Sequence, residues 1–369
     1  MAKTSETTLE IHLGALAHNY HYLRGKLDSK TKFLGVVKAF AYGSDAAKIA
    51  LKLTQLGVDY LAVAYADEGV ALRKAGIETP ILVLHPLPTN FQLLIDYRLE
   101  PSIYSLKMLS AFKQLAISNT LKQYPVHLKW NTGLNRLGFE ANQIDEVLRC
   151  IKDVAEVKIA SVLSHLAASE DLNEREFTAR QLRIFKEIAT KVDRFLGYHP
   201  LWHVLNTSGI INYPEAQFDM VRSGIGLYGF GNEKPIDEQL QPVATLKTVI
   251  SQIHHIKAHE TVGYNRAFRT DTPRKTATLP LGHADGIGRI YGKGNAYVAI
   301  HGQPAPIIGN VCMDMIMVDV TDIDCNEGDE VIVFGTYPTA EQFAAGGNTI
   351  AYELLTGISQ RVKRIFIDN

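Results

Sequence analysis

KFLGVVK (32–38) is followed by SDAAKIALKLTQLG (44–57), YLAVAY (60–65), ADEGVALRKAG (66–76) and PILVLH (80–85). The first, third and fifth runs are nearly continuous apolar strings, the pattern of strands covered on both faces. The second opens on Ser44 and Asp45 as cap candidates and closes on Gly57, so it reads as a helix. The fourth has acids in its first turn and Gly76 at its end, again a helix. Working outward, PSIYS (101–105), VHLKWN (126–131), KIASVLSH (158–165), LWHVLN (201–206) and FDMVRS (218–223) repeat the strand pattern, and 172–197 is a long helical segment. Strand and helix alternate about eight times over roughly 230 residues, which predicts a (β/α)₈ barrel. A doubly wound sheet shares the alternation, because alternation does not reveal closure.

The grammar changes after residue 235. TLKTVISQIHHI (245–256), TATLPLG (276–282), AYVAIHG (296–302), MIMVDVT (315–321) and DEVIVFG (329–335) read as strands with short turns, and helical pattern returns only at TIAYELLTGIS (349–359). This predicts a mostly antiparallel β-domain. The polar segment FGNEKPIDEQLQP (230–242) suits a boundary. The expected domains are therefore 1–238 and 239–369, with the tail near 349–369 packing back on the barrel.

Two domains also suit 369 residues, because a single core stops growing near ~250–300. Hydrophobic residues are 46% and charged residues 21%, ordinary globular values that exclude disordered, collagen-like and coiled-coil chains. Lys+Arg number 38 against Asp+Glu 39. That balance argues against a nucleic-acid partner held by backbone charge. Cys150, Cys312 and Cys325 are too few for a disulfide framework and lack a CxxC pair, so a reducing cytoplasm and no metal are expected. The N-terminal residues have no apolar signal-type core, and no run approaches membrane-spanning length.

Barrel enzymes place their chemistry at the C-terminal ends of the strands, with phosphate groups often beyond strands seven and eight. The first barrel strand then offers Lys38 and Tyr42, the fifth Lys129 and Arg136, and the sixth His165. The seventh offers His203, Asn206 and Thr207, and the eighth Arg222 followed by GIGLYG (224–229). Buried charge is costly unless paired, so such placement wants a reason. Lys38 reads either as a strand-end lysine reaching solvent by its stem or as a desolvated amine able to join a carbonyl. GIGLYG is either a plain turn or a cradle of backbone N–H groups for a phosphate.

Several segments, taken together, resemble the alanine racemase family. VVKAFAYGSD (36–45) resembles its lysine motif, and HLKWNTGLNRLGF (127–139) its H-x-K-x-D-T-G-M-x-R-x-G-F segment. HVLNT (203–207), VRSGIGLYG (221–229), VGYNRAF (262–268), GHADGIGR (282–289), GNVCMDMIMVDV (309–320) and TIAYELLTGISQRVKR (349–364) follow in family order. The resemblance implies a pyridoxal 5'-phosphate (PLP) enzyme with an N-terminal barrel and a C-terminal β-domain. Lys38 then matches the PLP-attachment lysine and one of two catalytic bases. Tyr264 matches the other base, taking the proton from L-alanine while Lys38 takes it from D-alanine. Arg222 matches the arginine facing the pyridine nitrogen, where a guanidinium donates without giving up its proton. Tyr42, Thr207, Gly224, Ile225 and Tyr352 match phosphate-binding positions, with His165, His203 and Asn206 beside the cofactor. Arg136 matches a residue near the substrate carboxylate. Met313 and Asp314 match residues that enter the partner subunit's site, so a homodimer with shared active sites is implied. Lys129 matches a position carbamylated in some members.

Departures from the family pattern are Phe40 for asparagine, Ser44 for histidine, and Asn131 for aspartate. None removes a catalytic group. Positive neighbours are expected to favour the Tyr264 phenolate, with Arg136 and His165 as candidates, although His165 reads equally as a satisfied core histidine. The expected role is supply of D-alanine for peptidoglycan. Rival readings are another PLP barrel enzyme, such as a broad-specificity racemase or a decarboxylase, and a PLP-holding barrel without a β-domain.

Overall fold

In a computed structural model, the structure describes residues 6–232 and 234–368. The chain divides into two compact units. One holds residues 17–41 and 46–241; the other holds the N-terminal residues to Leu16, residues 42–45 and residues 242–369. The second unit's first strand, β1 (Thr8–His12), lies outside the barrel unit although it precedes it in sequence.

The barrel unit contains β2 (Lys32–Val36), β3 (Tyr60–Val63), β4 (Ile81–Val83), β5 (Glu100–Ile103), β6 (Tyr124–Lys129), β7 (Val157–Leu163), β8 (Leu201–His203) and β9 (Met220–Ser223). They run parallel in the order β8-β7-β6-β5-β4-β3-β2-β9. The decisive pairing is β2 with β9, the first barrel strand with the last, in register Leu34 with Arg222. The remaining seam carries two backbone bonds, Asp219 N–H to Trp202 O at 3.1 Å and Arg222 N–H to Leu205 O at 3.0 Å. The sheet is thus a near-closed barrel, and the doubly wound alternative falls. Leu61, Ala62, Val63, Ile81, Leu82 and Val83 are all fully buried, the reason these strands carry no polar alternation. The long helix spans Arg175–Leu196 and stops at Gly197, φ 70°, as a left-handed C-terminal residue requires.

The β-unit holds a nine-stranded sheet. Its strands after β1 are β10 (Ala244–Val249), β11 (Gln252–Ile256), β12 (Thr261–Val262), β13 (Phe268–Arg269), β14 (Arg274–Leu279), β15 (Tyr297–Ile300), β16 (Gln303–Ile308), β17 (Ile316–Asp319), β18 (Glu330–Phe334) and β19 (Lys363–Ile367). The sheet order is β11-β14-β17-β16-β15-β18-β10-β1-β19, with β12 and β13 forming a separate ribbon. Its pairings are antiparallel except β1 with β19. The C-terminal segment therefore ends as an edge strand of this sheet. A short helix at Ala340–Ala345 was not legible in the pattern, because six residues span under two turns. Among the described residues, no helix is long and apolar enough to cross a membrane.

Candidate active site

The chain leaves β2 into a turn of unusual hand. Ala39, Phe40, Ala41 and Tyr42 have φ of 53–54° and Gly43 has 84°. Left-handed backbone costs an L-residue roughly 1–2 kcal/mol, so neighbouring groups must over-determine the turn. Val37 O accepts the Ala41 N–H at 3.0 Å. Glu68 Oε1 accepts the Ala39 N–H at 2.6 Å, and its Oε2 accepts the Ala64 N–H at 2.7 Å. Gly43 O accepts from Nε and Nη2 of Arg364 at 3.2 and 2.8 Å. A Cβ at Gly43 would drive into the Leu355 carbonyl, so glycine is required there on two counts.

Lys38 is part-buried at the head of this turn. Burial, then the Arg136 guanidinium, lower its proton affinity, and Glu68 opposes them. Lys129 is 7% exposed and pushed down to about 8 by burial and by Arg136, Arg222 and Lys38. Its Nζ has no hydrogen-bond or ion-pair partner among the described residues. His165 is held well below its ordinary value by burial first, then by Arg222, Arg136, Lys129 and Lys38. A neutral His165 supplies no positive charge. The strand ends thus gather four cations and a neutral imidazole, and Glu68 is the carboxylate that acts on Lys38.

Arg222 is buried on β9. Nη1 donates to His203 Nδ1 at 2.7 Å and to His203 O at 3.1 Å. Nη2 donates to Ser164 O at 2.7 Å, Val204 O at 3.0 Å and His165 Nδ1 at 3.2 Å. Its Nε–H has no acceptor among the described residues. A fixed guanidinium with one directed donor left over is a contact point for an acceptor atom.

Beyond β8 and β9, Thr207 Oγ1 lies 3.0 Å from Ser223 Oγ and accepts the Gly226 N–H at 3.3 Å. Asn206 caps the helix Thr207–Asn212 by accepting the Gly209 N–H at 2.9 Å. The N–H groups of Gly224 and Ile225 have no acceptor among the described residues, so two donors are open beside the Thr207 hydroxyl. In the β-unit, the Tyr42 and Tyr352 rings lie 6.2 Å apart, and burial, then Tyr352, push the Tyr42 phenol up.

Tyr264, Met313 and Asp314 also lie in the β-unit. Tyr264 is 71% exposed and Met313 59%. The Tyr264 backbone is nevertheless fixed: its carbonyl accepts from Asn310 Nδ2 at 3.0 Å. A side chain at the preceding Gly263, φ 76°, would sit 2.8 Å from Met317 Cε. Asp314 accepts from Arg361 Nη2 at 2.7 Å, while Arg361 also grips Asp285 at 2.7 and 2.9 Å.

Residues 11–231 match the family model described as alanine racemase, N-terminal domain, and residues 243–366 the one described as alanine racemase, C-terminal domain. The chain belongs to the alanine racemase family. The alanine racemase of Halothermothrix orenii is 35% identical over 370 residues, 98% of this chain and 97% of that one. The solved alanine racemase of Clostridium difficile superposes with a TM-score of 0.92 at 34% identity, covering 99% of this chain and 97% of its own. That of Bartonella henselae, which carries covalently bound pyridoxal phosphate, superposes at 0.89 with 30% identity, covering 99% and 100%. The racemase interconverts L-alanine and D-alanine. Its matched C-terminal domain removes the reading as a bare PLP-holding barrel.

Four residues of the racemase's barrel went unrecognised in the sequence: Glu68, Glu100, His127 and Ser161. For His127 a signal existed, since it alternates with Leu128 to share a face with Lys129. Glu68 looked like an ordinary first-turn acid, and nothing local ties it to Ala39.

Proposed function

We propose that the enzyme racemises alanine with PLP as cofactor, through two side-chain bases on opposite faces of the substrate. The observation that carries this is that Lys38, an amine held below its ordinary proton affinity, and Arg222, a buried guanidinium whose Nε–H has no acceptor among the described residues, both act on Lys129 and His165. The barrel residues fit the group, Lys38 Nζ for its aldehyde carbon, Arg222 Nε for its ring nitrogen, and Thr207, Gly224 and Ile225 for its phosphate; Tyr42 and Tyr352 are assigned to the phosphate from the family resemblance. His203 and His165 steady Arg222, and Asn206 holds the helix that presents Thr207. When bound, PLP supplies the electron sink that makes the alanine Cα–H acidic enough for a side chain to remove.

Tyr264 Oη takes the Cα proton of L-alanine and Lys38 Nζ returns one on the other face; for D-alanine the roles exchange. Arg136 is the cation that favours the phenolate, because His165 stays neutral. Arg222 keeps its proton, so it limits charge at the ring nitrogen and directs reprotonation to Cα. Tyr264, Met313 and Asp314, exposed in one chain, complete the site of a second chain in a homodimer. Lys129 takes up CO₂ as a carbamate, R–NH₂ + CO₂ giving R–NH–COO⁻ and a proton. A buried, readily neutral amine among Arg136, Arg222 and Lys38 favours that anion, which then pairs with Arg136. A cytoplasmic role in supplying D-alanine for peptidoglycan belongs to the same reading.

The test is borohydride reduction of PLP-loaded protein with peptide mapping, alongside chirality measurements on a panel of L-amino acids. Labelling of Lys38 and racemisation of L-alanine are expected. A tag on another lysine, or colourless protein with added PLP, defeats the proposal.

A further inference from the structure

We propose that Glu100, His127 and Ser161 are positioning residues for Arg222, acting through His203 along one directional hydrogen-bond chain across the barrel interior. The chain takes one residue from each of five successive strands: Glu100 from β5, His127 from β6, Ser161 from β7, His203 from β8 and Arg222 from β9. His127, Ser161 and His203 are fully buried. Barrel interiors are ordinarily filled by branched apolar side chains, and buried polar groups are costly unless satisfied. The linked side chains are polar from end to end, and the atoms joining them are all paired.

Donor chemistry sets its direction. A guanidinium only donates, so His203 Nδ1, 2.7 Å from Arg222 Nη1, is an acceptor and the His203 proton sits on Nε2. That nitrogen lies 2.8 Å from Ser161 Oγ, which therefore receives a proton and turns its own toward His127 Nδ1 at 2.6 Å. The His127 proton is then on Nε2, directed at Glu100 Oε2 at 2.7 Å. A carboxylate only accepts, so the far end admits no reversal. After burial, the same carboxylate holds the Tyr60 phenol up. Among the described residues Arg222 touches two histidines and three carbonyls but no carboxylate, so this chain is its connection to a negative charge. Both ends being fixed, His203 has one tautomer, and the guanidinium plane that leaves Nε open is held.

The inference rests on the reading of Arg222 as the cofactor's ring contact. The experiment is ¹⁵N NMR of histidine-labelled full-length protein, with and without PLP, on wild type, Glu100→Ala, Glu100→Gln and Ser161→Ala. Expected are neutral Nε2–H tautomers for His203 and His127 in wild type. Glu100→Ala or Ser161→Ala should move the His203 resonance toward mixed tautomers and lower kcat about tenfold with KM little changed. Glu100→Gln, which still offers an amide oxygen, should restore both. A wild-type His203 or His127 with its proton on Nδ1, or doubly protonated, overturns the chain without any variant. A His203 signal unmoved by both truncations also overturns it. Correct tautomers in a protein that fails to bind PLP would sink the cofactor reading alone.

Discussion

Glu68 Oε1 accepts the backbone N–H of Ala39, one residue past Lys38, at 2.6 Å. The same carboxylate takes the Ala64 N–H and, at 3.2 Å, that of Tyr65, so it ties the left-handed turn to the loop after β3. Glu68→Ala leaves these donors without their acceptor. The expected loss is about 2 kcal/mol of stability, read from urea unfolding, together with weaker PLP retention. Glu68→Gln, which keeps one accepting oxygen, should lose less. Equal stability for all three proteins would contradict this role.

Lys129 sets a pH dependence. Its folded-state pKa is depressed to about 8 from an unfolded value near ~10.4. Between those values the unfolded chain binds the extra proton, so stability rises with pH across the window and the gain is absent below it. In CO₂-free buffer, Lys129→Met should flatten the rise that wild type shows from pH 8 to 10. A rise of the same slope in the variant would refute the assignment.

With CO₂ present, the same amine should be modified. After equilibration with ¹³C-bicarbonate, a carbamate carbon signal is expected in wild type and absent in Lys129→Ala. Its absence from wild type under saturating bicarbonate would exclude the carbamate.

The proposed sharing of sites between two chains predicts complementation. Lys38→Ala and Tyr264→Phe chains are each expected to be nearly inactive. Mixed with subunit exchange, they should recover about a quarter of wild-type racemisation, since half the dimers are hybrids with one intact site of two. Proven exchange with no recovery speaks against Tyr264 serving the partner chain.

Arg222→Glu replaces a donor that keeps its proton with a group able to give one to the ring nitrogen. Pyruvate formed from alanine should rise relative to racemisation, measured by coupled reduction. Unchanged partitioning would contradict the role given to the guanidinium.

The barrel, the β-rich second half and most strand-end candidates were readable because they depend on local signals. Apolar runs with helix-period segments between them announce parallel strands, and strand ends announce where polar residues matter. Lys129, His165, His203 and Arg222 stood out as polar residues in apolar strings. Lys38 did so too, with a strand-end lysine reaching solvent as its other reading. Other features had no local trace. Thr8–His12 pairs with residues at 244–247 and 363–367, contacts that no window around residue 10 contains. The left-handed turn at 39–43 occupies residues that mostly prefer the right-handed hand, and its supports, Glu68 and Arg364, come from distant positions.

The order of residues by itself determined the (β/α)₈ alternation and the family, and singled out the amine and guanidinium proposed to carry the chemistry, since periodicity and motif are properties of neighbours along the chain. Only the tertiary structure decided that β2 closes on β9, that His165 is neutral, that Lys129 stands among cations with no partner among the described residues, and that five strands align one directional chain from Arg222 to Glu100. Charge states and donor directions depend on what lies within a few ångströms in space, and that neighbourhood exists only once the sheet has curled shut.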